Sequence, residues 1–187
     1  MGSMLSDLLA RRRPGTPPGD APYVVVGAGC AWAAGVIHLA VAPEHFREAR
    51  VVGAFFVVVA LGQLVLALLL LRGIGVKVLL AAIVSQVGII GLYVASRTVE
   101  LPFVPAHDPN HGNHLPVAGA AGNGVPTFPG SRIEPVGVLD MACLLAELVL
   151  LAALVGLLPQ KARRLTTNAL MVLGLMAVAA RVSGLVA

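Results

Sequence analysis

Charged residues are unusually scarce in this chain. Asp, Glu, Lys and Arg make up 12% of its 187 residues, whereas hydrophobic residues make up 58%. A soluble globular domain carries about 25% charged residues. The composition therefore excludes a water-soluble domain of ordinary type and indicates an integral membrane protein.

Cysteines and catalytic motifs are also few. Cys30 and Cys143 are the only cysteines, and we expect them at different depths of their helices, too far apart for a disulfide. We interpret both as small apolar side chains within helices. The chain has no phosphate-binding loop, no haem-attachment cysteine pair and no nucleophile–base motif. The enzyme classes that such motifs mark are therefore not indicated.

Five apolar stretches are long enough to cross a membrane. About 20 residues, rising 1.5 Å each, span a hydrocarbon core of about 30 Å. The sequence therefore predicts an all-α, five-helix transmembrane bundle in residues 22–187, preceded by a basic tail in residues 1–21. The stretches are residues 21–42, 51–71, 78–96, 136–158 and 165–187.

Basic residues predict the orientation of this bundle. They cluster at residues 11–13, 72–77 and 161–164, which precede the first helix or connect later pairs of helices. Loops on the cytoplasmic side carry an excess of Lys and Arg. We therefore expect a multi-pass protein of the cell membrane with its N-terminus in the cytoplasm and its C-terminus outside. The net charge of +4 follows from the same rule and does not indicate nucleic-acid binding.

Two parts of the chain align with each other without a gap. Residues 52–97 match residues 136–181, which lie 84 positions later. The alignment predicts one helix followed by two duplicated hairpins, related by a pseudo-two-fold axis along the membrane normal. Because apolar matches are common between membrane helices, the polar ones are the most informative: Lys77 with Lys161, Arg97 with Arg181, and Gln63 with Glu147.

Polar side chains inside the predicted helices mark a candidate ligand pocket or polar core. Such groups are costly in a bilayer and tend to face protein or a water-filled cavity. We expect two layers, one near the outer surface and one deeper. The outer layer comprises His38, Tyr93, Arg97, Asp140 and Arg181. The deeper layer comprises Gln63, Gln86 and Glu147.

His38 shares one face of the first helix with three small residues. Gly27, Ala31 and Ala34 precede it at helical spacing. Small residues allow a second helix to approach closely. We therefore expect this face to contact protein rather than lipid.

Two interpretations of the polar layers remain open. In the structural one, Arg97 and Arg181 pair with Asp140 and Glu134, while a protonated Glu147 is held by hydrogen bonds to the glutamines. In the functional one, the layers line a water-accessible pocket, open to the outside, that binds a small ligand or ion or relays protons.

A histidine-containing segment lies between the third and fourth helices. Residues 98–135 are rich in proline and glycine, which is typical of a connecting tether. Imidazole and carboxylate groups at close spacing can bind Zn²⁺ or Cu²⁺. The alternative is a polar linker without a ligand. The candidate metal ligands are His107, Asp108, His111 and His114, with His45 from the first interhelical loop.

Three short motifs, at residues 38–46, 96–103 and 134–140, include His38, Arg97 and Asp140. In these motifs the chain resembles a family of small, uncharacterised polytopic membrane proteins of high-GC bacteria. The resemblance covers the first four predicted helices. It implies a membrane fold but no activity.

The sequence favours a non-enzymatic membrane protein with an outward-facing polar site. Such a protein would handle a metal, with Zn or Cu the candidates, or a small ligand, or serve as an accessory subunit. A small membrane oxidoreductase or quinone-linked enzyme is one alternative, and a transporter component is another. The expected partners are the lipid bilayer and either further copies of the chain or a larger membrane complex. An ultraviolet-visible spectrum with metal analysis would distinguish these classes.

Overall fold

A computed structural model describes residues 20–98 and 137–183, except for the side chains of Glu48, Arg97, Thr98 and Arg181. These residues form five helices and no strand, which confirms the predicted all-α class. The helices are α1 (Ala21–Glu48), α2 (Arg50–Arg72), α3 (Val76–Thr98), α4 (Val138–Gly156) and α5 (Gln160–Val182).

Four helices, α1 to α4, are long and apolar enough to cross a membrane. The protein is therefore an integral membrane protein. Helix α5 is not among the four, and its first two turns carry Lys161, Arg163 and Arg164. A fifth crossing stays a prediction, as does the orientation of the termini.

Helix α1 is longer than the sequence predicts. The apolar stretch predicts a loop after residue 42, but α1 continues through Pro43 to Glu48, and only Ala49 is extended before α2 begins. Proline costs the helix one backbone hydrogen bond, while an ion pair between Glu44 and Arg47, at 2.8 Å, supports the last turn. His38 therefore lies almost three turns, roughly 15 Å, before the end of α1.

Helix α1 lies between α2 and α4 and packs against both. Ala31 and Ala34 are fully buried, and a Cβ added at Gly27 would lie 3.3 Å from Ala153 Cβ and 3.4 Å from Leu70 Cδ1. The prediction that this small-residue face contacts protein is confirmed. Since residues early in α1 meet residues late in α2 and α4, both neighbours run antiparallel to α1.

An apolar core fills one end of the bundle, near the α2–α3 and α4–α5 connections. Leu70, Leu150 and Leu154 are its largest buried side chains, and α3 joins it through Leu79 and Ile83. Helices in lipid gain little from hydrophobic transfer, so close packing of such side chains carries the association. The buried polar residues lie farther than this core from the α2–α3 and α4–α5 connections.

The helix boundaries agree with the predicted duplication. Helices α3 and α5 have equal length, and α5 begins and ends 84 residues after α3. Helix α4 ends 84 residues after α2. Equivalent positions are buried in the two hairpins, namely Val59 and Cys143, Gln63 and Glu147, and Leu70 and Leu154.

Candidate metal centre

Four polar side chains from three helices meet inside the bundle. Helix α1 contributes His38, α2 contributes Gln63, and α4 contributes Cys143 and Glu147. All four are buried, and none is more than 9% exposed. Cys143 and Glu147 face the same way because they are one helical turn apart. His38, Cys143 and Glu147 are called the His–Cys–Glu cluster below.

One carboxylate oxygen is the focus of the cluster. His38 Nε2 and Glu147 Oε1 are joined by a hydrogen bond of 2.9 Å. Gln63 Nε2 lies 3.4 Å from the same oxygen, and Cys143 Sγ lies 3.9 Å from it. A nitrogen of His38, a nitrogen of Gln63 and the sulfur of Cys143 therefore converge on Oε1.

The three ligand atoms of the cluster lie close to the spacing that metal ligands have. Nε2 of His38 is 2.9 Å from Oε1 of Glu147 and 3.5 Å from Sγ of Cys143, and the sulfur–oxygen distance is 3.9 Å. Bonds of 2.0 to 2.3 Å in tetrahedral zinc sites place neighbouring ligand atoms roughly 3.3 to 3.7 Å apart. Small side-chain movements would bring all three onto one ion.

The charge of the cluster suits a divalent ion. A carboxylate and a thiolate together carry two negative charges, and a neutral imidazole adds none. A doubly charged cation bound by this set gives a site of zero net charge. Neutrality matters here because an uncompensated charge is costly inside a bilayer.

Two buried amide atoms have no hydrogen-bond partner among the described residues. They are Oε1 of Gln63 and Nε2 of Gln86, and each glutamine is at most 3% exposed. An unmet buried polar group costs about 1 to 3 kcal/mol and calls for a specific cause. The other amide atom of Gln63, Nε2, faces Glu147 Oε1.

The deeper polar layer is thus partly as the sequence predicts. Gln63 and Glu147 meet, and Gln86 is buried on α3. The assignment of His38 to the outer layer is wrong, because its ring contacts Glu147. The physical reason is the longer α1, which places His38 deeper than a helix ending at residue 42 would.

The rest of the predicted outer layer stays a prediction. Tyr93 is half-buried, and its carbonyl oxygen accepts a hydrogen bond of 2.8 Å from Ser96 Oγ. Asp140 accepts a hydrogen bond of 2.7 Å from the backbone N–H of Gly137, at the start of α4. The side chains of Arg97 and Arg181 are outside the described part of the chain.

The predicted loop site at His107, Asp108, His111 and His114 also lies outside the described residues. His45, which was grouped with it, lies in the last turn of α1 and stacks on Phe56. Metal binding by the loop therefore stays a prediction.

Cys143 is the cluster residue that the sequence interpretation missed. It was interpreted as an apolar side chain, yet its sulfur contacts His38 and Glu147. Its spacing of four from Glu147 on one helix was the available signal. The expectation that Cys30 and Cys143 form no disulfide is confirmed, since both are free.

No protein-family model, curated protein or solved structure matches this chain. The resemblance to the membrane proteins of high-GC bacteria therefore stays an expectation. What the protein does has to be inferred from the chemistry of the His–Cys–Glu cluster.

Proposed function

We propose that this integral membrane protein binds a divalent transition-metal ion inside its helix bundle, and that Zn²⁺ fits best. The ligands are His38, Cys143 and Glu147. The observation that carries the proposal is the convergence of one nitrogen, one sulfur and one oxygen atom in a buried site.

The ligand types decide which metals fit. Ca²⁺ takes six to eight oxygen ligands, and Mg²⁺ takes an octahedron of oxygens and water. Thiolate and imidazole instead favour zinc, copper and related ions. Zinc sites that exchange their fourth ligand have three protein ligands and one open coordination position. The cluster supplies three ligands. Cu²⁺ and Co²⁺ should compete for the same atoms, and Cu²⁺ should bind more tightly than Zn²⁺.

A purely structural role is the rival explanation. Buried hydrogen bonds between helices are a known means of association in membranes, and the bond from His38 to Glu147 joins α1 to α4. A structural cluster would stabilise the fold equally well without metal. Metal affinity therefore distinguishes the two roles.

The test is a Zn²⁺ titration of the purified protein in detergent, with a chromophoric chelator as competitor. Cys143→Ser and Glu147→Gln should each weaken binding at least about tenfold, since even indirect partners of metal ligands are worth 10- to 100-fold. Cys30→Ser is the matched control and should bind like the wild type. Unchanged affinity in both cluster variants would refute the proposal.

The same titration separates this cluster from the loop histidines. A triple variant, His107→Ala with His111→Ala and His114→Ala, should keep the affinity of the wild type. If that variant lost the metal while the cluster variants kept it, the site would belong to the loop.

We also propose that the α1–α2 turn faces the outside of the cell. The side of the cluster nearest this turn is then its outward-facing side. The basic residues at 72–77 and 161–164 support this orientation, because they lie at the opposite end of the bundle. A reporter fused after Ala187 should behave as extracytoplasmic if α5 crosses the membrane. A cytoplasmic signal would contradict the five-crossing arrangement.

Metal transport is a second candidate function. Gln63 and Glu147, which occupy equivalent positions in the two hairpins, are in contact. Transporters built from repeats often place their sites at the repeat interface. Protein in liposomes should then accelerate Zn²⁺ uptake, and Glu147→Gln should abolish the increase. Uptake no faster than in protein-free liposomes would exclude transport and leave metal binding standing.

A further inference from the structure

A second layer of side chains lies on one side of the His–Cys–Glu cluster. Residues seven positions apart on a helix lie about two turns apart on the same face. The count starts from His38 on α1, from Gln63 on α2 and from Glu147 on α4. Because α1 is antiparallel to α2 and α4, the three steps lead to the same end of the bundle. The residues reached are His45 on α1, Phe56 on α2 and Asp140 on α4.

The opposite side of the cluster is closed by the apolar core. Leu150 and Leu154 are fully buried there, and Leu70 is 2% exposed. An ion leaving the cluster in that direction would have to pass closely packed leucines without any ligand. The less costly direction leads past the second layer, towards the α1–α2 turn.

Phe56 lies on the path from the cluster towards the α1–α2 turn. Its ring is stacked on the His45 ring, with centroids 4.0 Å apart and planes inclined by 21°. The same ring lies edge-on to His38, with centroids 5.4 Å apart and planes inclined by 67°. One phenyl ring therefore lies between the imidazole at the helix end and the imidazole of the cluster.

We infer that Phe56 is the barrier that a metal ion must displace to reach or leave the cluster, and that His45 holds the ring in its closed position by stacking. The inference rests on the proposed metal site. A barrier that is not itself a ligand changes the rates of binding and release by the same factor and leaves the affinity unchanged.

The test measures Co²⁺ binding and release by stopped-flow absorption in the detergent-solubilised protein, because Co²⁺ bound to a thiolate is coloured. Phe56→Ala should raise both rates at least tenfold and change Kd by less than threefold. His45→Ala, which removes the stacked ring, should raise both rates by a smaller factor. Val58→Ala is the control on the same helix, since Val58 is 68% exposed, and it should leave both rates unchanged.

The outcomes separate this inference from the metal site itself. Binding by the wild type with unchanged rates in Phe56→Ala would refute the barrier alone. A change confined to Kd would show that Phe56 shapes the site rather than its access, and would also refute the barrier. Should Phe56→Ala fail to fold, Phe56→Leu should still raise both rates. Absence of Co²⁺ binding by the wild type would overturn both the barrier and the metal site.

Discussion

The two hairpins share three of their four helix boundaries but supply different chemistry to the bundle centre. Where the α2–α3 hairpin has Val59 and Gln63, the α4–α5 hairpin has Cys143 and Glu147. The second hairpin thus provides both groups that can carry negative charge, and the first provides a neutral amide. Gln63 of the first hairpin contacts Glu147 of the second, and the proposed metal site lies at this contact.

The outer helices of the hairpins differ as well. Helix α3 packs on α4 and contributes Leu79 and Ile83 to the core. Helix α5 has few contacts with the rest of the bundle, and Leu175 and Met176 are examples of its exposed side chains. The first helix of each hairpin, together with α1, therefore builds the candidate site.

The largest expected difference in unfolding free energy is between leucine substitutions at Glu147 and at Gln63, which occupy equivalent positions in the two hairpins. Glu147→Leu removes the hydrogen-bond partner of His38 Nε2 and Gln63 Nε2, which should cost about 1 to 3 kcal/mol for each polar group left unpaired. Gln63→Leu should cost less than about 1 kcal/mol, since it also removes the unpaired Oε1 atom. Glu147→Gln should keep the fold. Unfolding free energies in detergent would measure the difference, and equal losses for the two leucine variants would remove the asymmetry between the hairpins.

An exchange of the side chains at positions 63 and 147 tests whether these two residues face each other. Gln63→Glu alone would place a second carboxylate about where the amide nitrogen now lies 3.4 Å from Glu147 Oε1, and like charges at that distance should destabilise the fold. Adding Glu147→Gln should restore stability, with a coupling energy of about 0.5 to 3 kcal/mol in a double-mutant cycle. Additive effects of the two substitutions would show that the positions do not face each other.

A smaller effect is expected at the paired glycines near the start of each hairpin. A Cβ at Gly53 would overlap the ring of Phe46, whereas at Gly137 its nearest contact would be Asp140 Oδ2 at 3.4 Å. Gly53→Ala should therefore lower the unfolding free energy by about 1 kcal/mol or more, as overpacking does. Gly137→Ala should change it by less than about 0.5 kcal/mol. Thermal unfolding of both variants would check this, and the opposite order would contradict the packing of α1 against α2.

Much of the fold could be predicted from the sequence because lipid imposes strong rules. The lengths of the apolar stretches gave the five helices, helical spacing gave the buried face of Gly27 and Ala31, and the internal alignment paired Gln63 with Glu147. Each prediction depends only on periodicity and on the cost of polar groups in a bilayer.

The remaining features depend on tertiary context. Proline usually marks the end of a helix, so the continuation of α1 through Pro43 was missed, and with it the depth of His38. Cys143 resembles any small side chain in an apolar helix. Only its contact with an imidazole and a carboxylate shows that it belongs to the site.

X-ray absorption at the zinc edge of the metal-loaded protein tests the metal site most directly. Coordination by His38, Cys143 and Glu147 predicts one sulfur at about 2.3 Å together with nitrogen and oxygen at about 2.0 to 2.2 Å. The sulfur contribution should disappear in Cys143→Ser and persist in Cys30→Ser. A shell of nitrogen and oxygen alone in the wild-type protein would contradict coordination by the His–Cys–Glu cluster.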